Sequence, residues 1–118
     1  MKYIDVMKYC LSLPNSQRRA ITPAGNKFAL LAGESVFGYF ETGAPIQWQF
    51  SLPVSAQRFD NLLNPPQVRH ADTSHEQFPW RQKPDLQHEN WITIQRVENF
   101  DEVLLKELID WSYRQATA

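Results

Sequence analysis

At 118 residues and 13.8 kDa, with 42% hydrophobic and 21% charged residues, the chain has the size and composition of one folded domain, which excludes the disordered class. Its formal net charge of −1 argues against binding driven by bulk positive charge, since nucleic-acid affinity comes largely from cations set against phosphates. A single cysteine, Cys10, rules out an intrachain disulfide and points to a reducing compartment.

The opening MKYIDVMKYC is broken by Asp5 and Lys8 and lacks the apolar run of a signal peptide. Nowhere do about 18 apolar residues run together, so the expectation is a cytoplasmic chain with no membrane span. Residues 3 to 13 set Ile4, Met7 and Leu11, with Tyr3 and Cys10, at helical spacing until Pro14 and Asn15 stop the pattern. Gln17 to Leu52 holds short runs rich in Phe, Val, Tyr and Trp. They are separated by turn compositions at residues 23–26, at Gly33-Glu34 and at Thr42-Gly43-Ala44-Pro45, which predicts three or four antiparallel strands.

The clearest strand is IQWQFSL, with Ile46, Trp48, Phe50 and Leu52 on one face and Gln47, Gln49 and Ser51 on the other. Ser55 then reads as the N-cap of a short helix whose stripe is Phe59, Leu62 and Leu63, ended by Asn64-Pro65-Pro66. Residues 64 to 90 hold four of the eight prolines and all three histidines, so they read as a long loop with a short strand near Gln67 to His70. WITIQRV alternates again, with Ile92 and Ile94 on one face and Trp91, Thr93 and Gln95 on the other. A final helix starts from a capping box of Asn99 and Glu102, with Leu104, Leu105, Leu108 and Trp111 as its buried stripe. This order shows no repeated strand-helix alternation and predicts a two-layer α+β domain spanning residues 1–118, an antiparallel sheet with helices packed on one face.

Five segments in register carry a resemblance: YCLSLP at 9–14, FALLAGESVFGYF at 28–40, FSLPVSAQRF at 50–59, NWITI at 90–94 and ELIDWSY at 107–113. Together they are similar to the MmcQ/YjbR family. That resemblance implies a CyaY-like two-layer fold and a DNA-binding role through a proposed double-wing surface. Members commonly carry a Pro-Phe-Gly turn where this chain has QRRAITPAG. They also carry Lys-Lys/Arg-His-Trp-Asn-Thr where this chain has QHENWIT, so Trp91 and Thr93 match and His88 and Glu89 stand where the family has positive charge.

Strand alternation sets Trp91 beside Thr93, Gln95, Gln47 and Gln49 on the sheet face away from the helices, where an exposed ring among amides would suit base stacking. The alternative is that the 64–90 loop folds over this face and Trp91 packs against Phe78 or Trp80. Arg18, Arg19 and Lys27 gather at the first hairpin, and Arg81 and Lys83 in the long loop, as cations that could contact phosphates; scattered surface cations are equally ordinary. HENWI is not the HExxH of zinc proteases, since Ile92 holds the second His position, and no Cys pair supports a metal. With no GxSxG elbow and only four glycines, no catalytic constellation stands out. The expectation is therefore a non-catalytic binding module without cofactor or metal. Its partner would be DNA, bound weakly or nonspecifically, or a protein, through a monomer or homodimer that makes no membrane contact. The alternative function is a protein-interaction or self-association module with no nucleic-acid role.

Overall fold

The structure, a computed structural model, describes residues 1–21, 27–43, 47–71 and 90–118. The elements run α1 (Tyr3–Ser12), β1 (Ser16–Ala20), β2 (Lys27–Ala32), β3 (Ser35–Gly43), β4 (Gln47–Pro53), α2 (Ala56–Leu62), β5 (Val68–His70) and β6 (Trp91–Gln95). A 3-10 turn (Val97–Asn99) and α3 (Glu102–Thr117) complete the chain. Among the described residues the strands form one antiparallel six-stranded sheet in the order β1-β2-β3-β4-β6-β5, with three α-helices, as the α+β reading expects.

β2 and β3 meet in a two-residue turn whose Gly33 holds a left-handed φ of 63°, a conformation that costs an L side chain energy. Between Leu30 and Leu31 the β2–β3 register shifts, and the extra residue on β3 is Phe37. Its carbonyl accepts the buried Ser112 hydroxyl of α3 at 2.7 Å, so the bulge leaves no orphan acceptor there. Ser112 and Ala116 are the small residues on the buried side of α3, which lets the helix lie close to the sheet.

The main core lies between the helices and one sheet face: Val6, Met7, Cys10, Phe28, Leu30, Phe37, Phe40, Phe50, Leu52, Ile92, Ile94, Leu105, Leu108 and Ile109. Each such large side chain contributes about 1.5–3 kcal/mol on burial. Phe50 stacks on Phe40 with centroids 4.6 Å apart, and its ring lies over Gly38, where a Cβ would come within 2.8 Å.

The helices depart from the sequence expectation in which residues they bury. In α1 the buried residues are Val6, Met7 and Cys10, whereas Ile4 and Leu11 are 44% and 37% exposed. Tyr3, Val6, Met7 and Cys10 form the stripe at i, i+3, i+4 and i+7, and Tyr3 fixes it by stacking on Trp48 at 4.2 Å. In α3 the cap is Asp101, whose Oδ1 accepts the Leu104 N–H at 2.8 Å; Asn99 is drawn into the preceding 3-10 turn, its N–H bonded to the Arg96 carbonyl. The buried side of α3 then rotates to Leu105, Leu108, Ile109, Ser112 and Ala116, leaving Leu104 and Trp111 half-buried. Ser55 caps α2 by position without a side-chain hydrogen bond, and no residue of α2 is fully buried.

Two predictions follow from these contacts. Gly38→Ala should lower the unfolding free energy by about 1–3 kcal/mol in a urea titration, because the buried Phe50 ring has to move. Tyr9 ties α1 to α3 by donating to Asp110 Oδ1 at 2.6 Å, and burial, then that hydrogen bond and the Asp110 charge, push its phenol from 10.0 up to about 12. An unfolded phenol ionises first, so this contribution is complete below pH 10 and is lost as pH rises towards about 12. Tyr9→Phe should accordingly flatten the fall of stability with pH in that window.

Candidate functional site

The sheet face away from the helices is built in rows, because directly paired residues of antiparallel strands point to the same side. One row runs Lys27, Glu41, Gln49, Gln95; the next runs Arg19, Ala29, Tyr39, Ser51, Thr93, Arg69. Along the strands from these lie Leu31 with Val36 and Pro53 with Trp91. The centre of this face is a second apolar cluster of Ala29, Leu31, Val36, Tyr39, Ala71 and Trp91, with Ile21 packed against it. Among the described residues no helix contributes to it.

Trp91 is therefore not the exposed platform that strand alternation alone suggests. It is 0% exposed, with its ring 5.7 Å from that of Tyr39. Thr93 is buried as well and shares a 2.8 Å hydrogen bond with Ser51. The choice of face is as expected, but its neighbours there on β2 and β3, Ala29, Leu31, Val36 and Tyr39, are apolar and buried with it. Phe78 and Trp80, the rings proposed to cover it, lie outside the described residues, as do Arg81 and Lys83.

The hairpin cations do not form one patch. Arg18 pairs with Leu30 and points to the helix side, its guanidinium 5.7 Å from the Phe28 ring, while Arg19 pairs with Ala29 on the other side. Lys27 is nearly buried and ion-paired to Glu41 at 2.9 Å, which cancels its charge locally. Gln47 is described through its backbone alone. Gln49 and Gln95 remain half-buried and opposite each other, and Gln49 Oε1 accepts from the Arg69 guanidinium at 3.3 Å.

The polar groups that do converge sit at the margin where β4, β6 and β5 meet. Beside Gln49, Gln95 and Arg69 opens a groove of about 440 Å³ lined by Pro66, Gln67, Gln95, Arg96 and Asn99. The Gln95 N–H bonds to the Gln67 carbonyl at 2.7 Å, and the Arg96 N–H to the Trp48 carbonyl at 3.3 Å, which fixes the walls. Arg96 holds a left-handed backbone, φ 56° and ψ 71°. In sequence Arg69 and Arg96 are two of many scattered cations, Asn99 reads only as a helix cap, and Gln67 only as the start of a short strand. Only the pairing of β5 onto β6 brings these residues together.

Among the described residues no group of three or more His, Cys, Asp or Glu could hold a metal. Cys10 is buried, and burial pushes its thiol well above the usual range. His70 lies edge-on to Phe59 at 5.3 Å, and His75 and His88 lie outside the described residues. No described helix is long and apolar enough to cross a membrane.

No protein-family model and no curated protein matches the sequence. Among solved structures the chain is similar to the crystal structure of Deinococcus radiodurans protein DR2400, which carries the domain DUF419. The TM-score is 0.70 at 19% identity, covering 95% of this chain and 75% of that one. At that identity the likeness is one of fold.

Burial of Trp91 makes a testable difference. Trp91→Ala should cost about 3–5 kcal/mol of stability in chemical denaturation, the loss expected for a core aromatic. A surface stacking residue would lose under about 0.5 kcal/mol.

Proposed function

We propose that the chain is a small non-catalytic binding module acting in the cytoplasm, and that its ligand is nucleic acid held at the sheet margin around Gln49, Arg69, Gln95 and Arg96. The observation that carries this reading is that Arg69 bonds to Gln49 next to a groove lined by Arg96 and carboxamides, with no carboxylate among its described lining residues. Arginine and carboxamide side chains are the groups that contact phosphate oxygens and base edges. DUF419 is the designation of the MmcQ/YjbR-like family in general, so the shared fold agrees with the motif resemblance, and the DNA-binding label enters through that resemblance alone. The net charge of −1 sets the scale: few phosphates are neutralised, and affinity is weak or nonspecific.

A self-association reading draws on a different observation. Edge strand β1 pairs on one side only with described residues, and four of its five residues are exposed. An open ladder edge is a place where a second chain can add, although Arg18 and Arg19 on it oppose that addition by charge. Light scattering separates the two readings, since nucleic-acid binding at the β5 side requires no dimer.

The nucleic-acid reading is tested by fluorescence anisotropy against single-stranded and duplex oligonucleotides at two salt concentrations. Binding should tighten as salt falls, and Arg69→Ala should weaken it for all sequences while reducing the salt slope by about 1. Absence of binding below about 100 µM at low salt removes the reading.

A further inference from the structure

The groove beside the sheet margin differs from a phosphate-binding surface in two respects. Three of its five described lining residues, Gln67, Gln95 and Asn99, carry carboxamides, each offering one acceptor oxygen and two donor hydrogens. That mixture suits a neutral edge carrying both donors and acceptors better than it suits an anion, which would take donors alone. The groove is also concave. Its roughly 440 Å³ is in the range of small-ligand sites.

Arg96 is the fourth polar side chain, and its backbone is the unusual feature. A non-glycine residue at φ 56° carries a strain that glycine would avoid at this junction of β6 and the 3-10 turn. Among the described residues no hydrogen bond or ion pair engages the side chains of Gln67, Gln95, Arg96 or Asn99, so all four are available to a ligand. The backbone around them is fixed by the Gln95-to-Gln67, Arg96-to-Trp48 and Asn99-to-Arg96 hydrogen bonds, which limits the ordering cost of binding. Pro66 supplies the apolar wall, and no aromatic ring is among the described lining residues, so those residues would hold a base by its edge and not by stacking.

We infer that the groove between Pro66-Gln67 and Gln95–Asn99 is a site for one unpaired nucleotide, its phosphate held by Arg96 and its base edge by the carboxamides of Gln67, Gln95 and Asn99. This rests on the nucleic-acid reading above and sharpens it: the ligand class becomes single-stranded, because a base inside a duplex has its pairing edge occupied and cannot enter.

Two substitutions separate the site from the fold. Arg96→Gly relieves the left-handed strain, so its Tm should stay level or rise, while affinity for a heteropolymeric single-stranded 12-mer should fall at least about fivefold, as for one lost specific contact. Asn99→Ala removes a side chain with no partner among the described residues and should weaken the single strand in the same way without lowering Tm. Neither should change affinity for a hairpin duplex of equal nucleotide count, which should bind at least about tenfold more weakly than the single strand. Single-strand affinity unchanged in both variants, or a duplex that binds as well as the single strand, overturns the groove assignment while leaving nucleic-acid binding in place. Failure of both probes to bind overturns the two together.

Discussion

Strands β2 and β6 are buried on both faces, and much of what this chain can do follows from that. Every residue of β2 is buried, and so are Trp91 through Ile94 of β6. One side of those strands carries the main core under α1 and α3; the other carries the Trp91–Tyr39 cluster. A two-sided sheet of this kind gains roughly the burial of several more large side chains, but it offers no open polar plane at its centre. Ligand chemistry is pushed to the margins, where strands end and the chain turns.

The two margins are not equivalent. On the β1 side the arginines are split by strand alternation, Arg18 towards the helices and Arg19 away from them, and Lys27 is matched by Glu41. On the β5 side a three-residue strand adds to β6 and brings Arg69 onto Gln49, while the left-handed turn at Arg96 bends the chain so that Gln67, Gln95 and Asn99 border one groove. A chain of net charge −1 thus still presents a groove with no carboxylate among its described lining residues. Charge distribution set by strand register matters here more than the total.

Much of the fold was legible in the sequence because its signals are local. WQFSL and WITIQ place their alternate residues on opposite sheet faces as the structure does, with Phe50, Leu52, Ile92 and Ile94 in the main core. The stops at Pro14 and Pro65-Pro66 bound α1 and α2, and the resemblance motifs lie on the elements expected of them. Local pattern was less decisive where two stripes compete, as in α1. Tyr3 stacking on Trp48, a contact between residues far apart in the chain, selects the Val6–Met7–Cys10 side over Ile4 and Leu11. The burial of Trp91 did have a sequence signal in FALLA, whose unbroken apolar run marks a strand covered on both faces. The groove had none, since it depends on where β5 pairs and on a backbone conformation at Arg96 that its residue type disfavours.

The central claim is that binding belongs to the β5 margin and not to the centre of the sheet. Amide chemical-shift mapping with an unlabelled single-stranded oligonucleotide tests it most directly. The account predicts that the largest perturbations fall on Gln67, Arg69, Gln95, Arg96 and Asn99, with Ala29, Leu31 and Tyr39 little moved. Perturbations centred on β1 or on the Trp91–Tyr39 cluster, with the groove residues silent, would contradict it.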